Sequence, residues 1–250
     1  MSPFSDLLPF AFFVVALVYS SVGFAGGSSY LLVLTLAGFT HPESAPIALL
    51  CNLIVSSVGS FARWKRGDLR FRLLLPFLAA SIPAAFLGAR IPASKSVFLL
   101  LLSGCLAFAA LRIFWLRENA RPLHNLTEAQ KWRWGLPAGG VMGFFSGLVG
   151  IGGGIFLSPF LMLTRLASFK EAAAAASFFI FLNSLSGFVA KMPAGIHLTA
   201  DCIPLALASL AGGLIGTRVG TLPALETKIP RVLAALLLYL ATNMAMKAFA

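Results

Sequence analysis

Eight apolar segments of 18 to 32 residues occupy most of the 250-residue chain and limit the folds open to it. A helix needs about 20 mostly apolar residues to cross a bilayer. Only 11% of the residues are charged, well below the share in soluble domains. This pattern predicts an all-α polytopic membrane protein and excludes a soluble globular or nucleic-acid-binding domain. The segments are 7–38, 44–62, 71–89, 96–116, 136–164, 171–190, 200–217 and 230–249.

The two halves of the chain resemble each other. At an offset of 128, Glu43 matches Glu171, and the same offset relates further landmarks. Duplicated halves are a recurring plan of secondary transporters. We therefore predict a first transmembrane repeat over 1–116, a polar linker over 117–135 and a second repeat over 136–250. The other landmarks at this offset are Ser56 and Ser184, Gly59 and Gly187, Gly67 and Gly195, Pro76 and Pro204, Ser81 and Ser209, Gly88 and Gly216, and Arg90 and Arg218.

The first segment of each half is too long for a simple span and carries glycines near its middle. Residues 148–155 read Leu-Val-Gly-Ile-Gly-Gly-Gly-Ile, and residues 23–27 read Gly-Phe-Ala-Gly-Gly. Glycine costs about 1 kcal/mol relative to alanine inside a helix, so such clusters predict a break. Each segment is then either a tilted, locally unwound span or a re-entrant hairpin.

The distribution of basic residues distinguishes between the two topologies, because basic residues collect in cytoplasmic loops. Eight full spans divide them 12 to 7, and two hairpins with six spans divide them 15 to 4. We therefore favour the hairpins, with both termini outside the cytoplasm and the repeats inverted. Either topology places loops 63–72 and 117–135 in the cytoplasm of a multi-pass inner-membrane protein.

A helix that resumes inside the membrane presents free N–H groups and the positive end of its dipole, which favour an anion. The alternative is close helix packing through small residues. Intramembrane amides and hydroxyls can supplement such a site or join helices by hydrogen bonds. The candidate substrate-binding residues are Gly26, Gly27, Ser28, Ser29, Asn52, Ser56, Gly152, Gly153, Gly154, Ile155, Asn183 and Ser184.

Charged residues lie at the ends of the apolar segments. Glu43 and Glu171 open helices, where they either stabilise the first turn or act in gating. Arg90 and Arg218 are either interface anchors or groups at the mouth of a pathway. No cysteine spacing predicts a metal site, and no apolar segment contains a histidine that could activate a serine such as Ser146. We therefore expect no enzyme activity, catalytic residue, metal or cofactor.

The motif G-x-G-G-G, followed by an apolar run and a proline, spans Gly150 to Pro159. With the duplicated halves and the acidic residues at Glu43 and Glu171, it resembles the sulfite exporter TauE/SafE family over essentially the whole chain. The first half departs from the motif, since Ala25 replaces a glycine and no proline matches Pro159.

The resemblance implies a transporter, with export as the expected direction, for sulfur-containing anions such as sulfite or organosulfonates. The expected partners are this anion and membrane lipid, with a homodimer as an open arrangement and without nucleic acid. An anion or ion channel, or a membrane scaffold without transport, is the alternative function.

Overall fold

The computed structural model of the chain describes residues 7–91, 127–192 and 202–220, together with a few isolated positions at 100, 103–104, 107, 238, 241–242 and 246. The predicted segments 96–116 and 230–249 and residues 117–126 of the linker therefore lie mostly or wholly outside the described residues. Within the described part the secondary structure is α-helical throughout. The helices are α1 (Leu8–Ser21), α2 (Gly27–Leu36), α3 (His41–Lys65), α4 (Phe71–Arg90), α5 (Glu128–Val149), α6 (Gly154–Leu163), α7 (Phe169–Lys191) and α8 (Cys202–Val219).

Four of the described helices are long and apolar enough to cross a membrane, as a polytopic membrane protein requires. They are α3, α4, α7 and α8. Helices α1 and α2 are apolar but shorter, with 14 and 10 residues. Many large apolar side chains point outward, among them Phe10, Leu75 and Leu207, each more than half exposed. An apolar exterior of this kind suits contact with lipid.

Both helix breaks lie at the glycine clusters, as the sequence predicts. Helix α1 ends at Ser21, and α2 begins after Gly26, whose φ is 93°. Helix α5 ends at Val149, and Gly150, Gly152 and Gly153 follow with φ of 83°, 78° and 75°. Glycine adopts this left-handed conformation without the steric cost that a Cβ imposes. The clusters therefore end one helix and aim the next in a new direction.

The chain turns back at the first break. Phe12 lies nine residues before the end of α1, which is about 13 Å of helix. Its ring nevertheless stacks on Tyr30 of α2, with ring centroids 4.6 Å apart. A second helix that continued the direction of the first would hold these rings roughly 20 Å apart. Helices α1 and α2 therefore form a hairpin.

The second break has the same geometry. Gly139 lies ten residues before the end of α5 and packs against the backbone of Phe77 on α4. Phe160, six residues into α6, places its ring 5.7 Å from the ring of the same phenylalanine. Helix α6 therefore returns beside α5, and α5 and α6 form a second hairpin.

Helices α3 and α7 cross in opposite directions at the centre of the fold. Gly59 of α3 faces Ser177 of α7, and Leu49 faces Gly187. The residue numbers rise on one helix as they fall on the other, which defines an antiparallel pair. The residues facing the hairpins from this pair are thus contributed by both halves of the chain.

Glycines at every fourth position bring two further helix pairs into backbone contact. Gly135, Gly139, Gly143 and Gly147 of α5 lie against α4 so closely that a Cβ would collide with its backbone or with Pro76. Gly212, Gly216 and Gly220, in and just after α8, lie as closely against the backbone of α1. These two rows of glycines, which we call the glycine stripes, therefore allow the close helix packing that small residues provide in membrane proteins.

Helices α5 and α3 extend past their predicted apolar segments into polar sequence. Helix α5 begins at Glu128, eight residues before the apolar segment, because the side chains of Thr127 and Gln130 form a capping box in the polar linker. Helix α3 continues to Lys65, three residues past the predicted segment end. Both helices extend beyond the strictly apolar run and carry polar residues inside regular structure.

Candidate functional site

The N-termini of α2 and α6 lie at the two glycine breaks. In α2 the first backbone hydrogen bond runs from the Ser29 N–H to Gly26 O, at 2.9 Å. In α6 it runs from the Phe156 N–H to Gly153 O, at 3.0 Å. The N–H groups at the start of a helix have no partner within the helix. Gly27 and Ser28, and Gly154 and Ile155, therefore offer donors at these two ends.

Asn52 of α3 lies between the two breaks. Its side chain is fully buried, and neither amide atom has a hydrogen-bond partner within the described part of the chain. A Cβ at Gly27 would collide with the amide, and a Cβ at Gly152 would lie 3.3 Å from its nitrogen. A buried unpartnered amide is costly, which makes Asn52 a candidate ligand-binding residue.

Two buried hydroxyls adjoin the second break. Ser184 Oγ lies 2.7 Å from the Cβ position of Gly152, and Ser146 Oγ lies 3.0 Å from that of Gly153. Neither oxygen has a hydrogen-bond partner among the described residues. Ser56 differs, because its hydroxyl donates to the backbone carbonyl of Asn52. Ser56 thus fixes the helix turn that carries the amide.

A small cavity joins the two hairpins. Gly26, Gly27 and Ser28 line it from one side and Ile151 and Ile155 from the other. Its volume of about 10 Å³ is close to the minimum for one water molecule. A small oxyanion is larger than water, so the described conformation is closed at this cavity, which together with Asn52 we call the midpoint. Substrate entry would require the hairpins to separate.

The first hairpin also contains a hydroxyl pair. Tyr19 Oη and Ser29 Oγ are 2.7 Å apart, and both side chains are buried. Tyr19 lines the small cavity beside Ser28. Tyr19 is not among the predicted site residues. Its position one helical turn before the glycine cluster is the sequence signal that could have indicated its place in the site.

Asn183 faces a different direction from Asn52. Its amide nitrogen donates to Ser81 Oγ of α4 at 3.1 Å and to the Phe179 carbonyl at 2.8 Å. The bond to Ser81 joins α7 to α4, so the structure places Asn183 in helix packing. Among the predicted polar side chains, the structure brings Asn52 and Ser184 to the second glycine break.

The two glutamates close capping boxes. Glu43 accepts hydrogen bonds from the Thr40 N–H at 2.8 Å and from its hydroxyl at 2.7 Å. Glu171 accepts from the Ser168 N–H at 2.7 Å and lies 3.6 Å from Arg70. Both carboxylates thus stabilise the first turn of a long helix, the first of the two roles considered for them.

The two predicted arginines lie at helix ends. Arg90 is exposed in the last turn of α4, with its guanidinium carbon 4.4 Å from the centre of the Phe86 ring. Arg218 is exposed in the last turn of α8. The stacked arrangement of Arg90 agrees with an interface anchor.

Arg63 is a buried arginine that the sequence analysis assigned to a loop. It lies inside α3 and is only 5% exposed. Its guanidinium donates to the carbonyls of Ser20 and Gly59 and to Ser177 Oγ, at 2.9, 3.2 and 3.2 Å. Spacing could have revealed it, because Asn52, Ser56, Gly59 and Arg63 share one helical face.

Within the described residues, no group of three or more histidine, cysteine or acidic side chains could hold a metal ion. The described polar groups around Asn52 are neutral amides, hydroxyls and backbone N–H groups, and a site of this composition suits an anion.

Comparison with known proteins extends over nearly the whole chain. A model of the family described as Sulfite exporter TauE/SafE matches residues 8–244. The "Probable membrane transporter protein y4hK" of Sinorhizobium fredii (strain NBRC 101917 / NGR234) is 31% identical over 217 residues, covering 86% of this chain and 87% of that protein. The "Probable membrane transporter protein YunE" of Bacillus subtilis (strain 168) is 26% identical over 241 residues, covering 82% and 85%. No solved structure matches the chain.

Proposed function

The chain belongs to the sulfite exporter TauE/SafE family, and from this premise we propose that it is a secondary transporter that exports a small sulfur-containing anion. Sulfite and organosulfonates are the proposed substrates. The names of the two relatives describe membrane transporters, in keeping with this class. The protein transports its substrate without chemical change and is therefore not an enzyme.

One observation carries the proposal: the N-termini of two helices lie on either side of the unpartnered Asn52 amide. Each helix N-terminus is equivalent to roughly half a positive charge. Gly27 and Gly152 both lie directly against the amide, so backbone N–H groups and a side-chain donor can reach one ligand. Backbone donors from 26–29 and 152–155, supplemented by Asn52 and Ser184, form the proposed binding site.

A neutral site suits a transporter that must also release its substrate. A full counter-charge in a low-dielectric interior attracts an anion strongly, and that attraction slows release. The residues around Asn52 that the structure describes include Ile151, Ile155 and Ile180 but no charged side chain. The anion would therefore be held by oriented dipoles, which fix its position without a permanent ion pair.

The two halves are proposed to be inverted repeats related by a pseudo-twofold axis. Support comes from reciprocal contacts at the breaks. Gly23 of the first break lies against Ala173 of α7, and Gly150 of the second lies against Ala45 of α3, with its Cβ position 3.4 Å from the Ala45 Cβ. Each contact becomes the other when the halves are exchanged. Inverted repeats commonly place the substrate site between broken helices at the repeat interface.

The proposed membrane topology agrees with this arrangement. In it each hairpin enters and leaves on one side and segments 96–116 and 230–249 each cross once, so each half crosses the membrane an odd number of times. Loops 63–72 and 117–135 are proposed to lie in the cytoplasm, and both termini are proposed to lie on the opposite side of the inner membrane. Trp64 and Trp134 lie within these two segments and are 57% and 60% exposed, which supports a membrane interface there, since tryptophan favours the membrane surface.

Reconstituted liposomes provide the test. Proteoliposomes loaded with unlabelled sulfite should accumulate external ³⁵S-sulfite by exchange, whereas empty proteoliposomes should take up much less. Liposomes containing the Asn52→Leu protein serve as the matched control. Uptake that follows the membrane potential and gains nothing from internal sulfite would indicate a channel. Absence of exchange with sulfite, methanesulfonate and taurine would contradict the proposed substrate class.

A further inference from the structure

A second polar cavity opens beside Arg63, away from the small cavity at the hairpins. Its volume is about 200 Å³, and Ser21, Val22, Arg63, Arg66, Asp68 and Lys170 are among its lining residues. We call it the vestibule. The cavity between the hairpins offers about 10 Å³, so a small oxyanion fits the vestibule and does not fit the midpoint in this conformation.

The lining of the vestibule is positively charged. Arg66 forms an ion pair with Asp68, with Nε and Oδ2 3.2 Å apart. Arg63 adds a second guanidinium group to the lining, and this one carboxylate does not balance both. The hydrogen-bond acceptors that the structure gives Arg63 are two carbonyls and a hydroxyl, all of them neutral. A buried arginine beside a cavity and bonded to neutral groups retains its positive potential for an anion.

The vestibule adjoins the first glycine break. Ser177, which accepts a hydrogen bond from Arg63, donates one to the Gly23 carbonyl at 2.8 Å. Arg63 also donates to Ser20 O in the last turn of α1. One side chain therefore contacts the vestibule, the end of α1 and, through Ser177, the break that opens toward the proposed midpoint site.

We propose that the vestibule is a loading site for a small sulfur oxyanion, in which Arg63 attracts and orients the anion before the hairpins separate. This inference rests on the proposed function for the identity of its ligand. The site is distinct from the neutral midpoint site: the vestibule supplies charge for capture, and the midpoint supplies dipoles for passage. Its position beside loop 63–72 places it on the cytoplasmic side, where an exported anion enters.

Arg63 has an alternative, purely structural role as a donor to the last carbonyls of α1. That role predicts a loss of stability when Arg63 is changed, but it predicts no preference for anions in the cavity. A measurement of the local potential in the vestibule therefore separates the two roles.

The experiment uses a single cysteine in the vestibule. Ser21→Cys is introduced after Cys51, Cys105 and Cys202 are replaced by alanine, and inside-out vesicles expose the cytoplasmic face. The anionic reagent sulfonatoethyl methanethiosulfonate and its cationic trimethylammonium analogue are compared. We expect the ratio of anionic to cationic reaction rates to exceed that of a free thiol roughly tenfold, because clefts of one charge concentrate counter-ions.

Three variants and one protecting ligand complete the design. Arg63→Gln should lower the rate ratio at least threefold, Arg63→Lys should retain it, and Arg165→Gln, at an exposed arginine outside the vestibule, should leave it unchanged. Methanesulfonate should protect the cysteine, and chloride at equal ionic strength should protect it less. Methanesulfonate is used because sulfite reacts with the reagents.

The outcomes decide the proposal. A rate ratio at or below the free-thiol value, or protection equal to that given by chloride, overturns it even if Arg63→Gln fails to fold. An unchanged ratio in a folded Arg63→Gln protein also overturns it. Protection by methanesulfonate in a protein that shows no sulfite exchange would support the vestibule and contradict the transport function. Exchange without protection would leave transport standing and remove the vestibule.

Discussion

The side-chain amide of Asn52 lies directly against Gly27, at the point where α2 begins, with no room for a Cβ between them. The contact places a hydrogen-bond donor beside the first free N–H groups of a helix. An anion there would meet backbone and side-chain donors together. Asn52 is therefore the side chain on which we expect substrate binding to depend most.

Asn52→Leu should weaken sulfite binding without destabilising the protein. A hydrogen bond to a charged group contributes about 1.5–3 kcal/mol, so affinity should fall roughly tenfold or more. The leucine has a similar shape and removes an unpartnered buried amide, so the thermal midpoint should stay level or rise. Binding to purified protein and thermal unfolding in detergent measure the two effects.

Asn183→Leu is the matched control. It removes hydrogen bonds to Ser81 and to the Phe179 carbonyl. The expected cost is about 1–3 kcal/mol of stability, with affinity nearly unchanged. The opposite pattern, with Asn183 controlling affinity and Asn52 controlling stability, would show that the site lies between α4 and α7 instead.

Neighbouring glycines of α5 should respond in opposite ways to alanine. A Cβ at Gly139 would collide with the backbone of Phe77, whereas a Cβ at Gly140 meets only the Ala80 Cβ at 3.8 Å. Gly139→Ala should cost about 1–3 kcal/mol by overpacking. Gly140→Ala should be neutral or stabilising, because alanine favours helix. Equal thermal midpoints for the two variants would refute the close packing of α4 on α5.

Glu171→Gln should retain sulfite binding within about twofold, since glutamine can also close a capping box. Glu171→Ala should lose the hydrogen bond from the Ser168 N–H and about 1 kcal/mol of stability. Titration with sulfite and thermal unfolding distinguish the variants. Loss of binding by a folded Glu171→Gln protein would assign the carboxylate a direct part in transport.

A reporter fused after Ala250 should be active only outside the cytoplasm. This outcome follows from the proposed topology, in which each hairpin returns to its side of entry and segments 96–116 and 230–249 each cross the membrane once. Alkaline phosphatase, which is active outside, and a fluorescent protein, which matures inside, provide complementary measurements. A fusion within loop 63–72, after Gly67, should report the cytoplasm in either topology and serves as the reference. Cytoplasmic activity at Ala250 would favour eight full spans.

The sequence predicts the helix breaks well because their cause is local. Several adjacent glycines disfavour a helix whatever surrounds them, and both breaks lie where Gly26 and Gly153 stand. The helix ends are less predictable from hydropathy. Arg63 and the start of α5 at Glu128 lie beyond their apolar runs, yet helix capping and continuing backbone hydrogen bonds keep them helical.

The choice between Asn52 and Asn183 could not be made from the sequence. Both are buried amides near the middle of a long apolar helix, and each has apolar residues before it and serines after it. What separates them is the rotation of α3 and α7 about their axes against α4 and the hairpins. That rotation depends on contacts between distant parts of the chain, such as the hydrogen bond from Asn183 to Ser81.

The glycine stripes also determine which parts of the protein can move together. Each stripe joins a helix from one half of the chain to a helix from the other, α4 with α5 and α1 with α8. The glycines lie directly against the facing backbone, with no flexible side chain between the two helices. We therefore expect each rigid body that moves during transport to contain helices from both halves of the chain. We expect a polypeptide cut within 117–126 to yield two fragments that are degraded separately and stable when co-expressed, with each fragment completing the framework of the other.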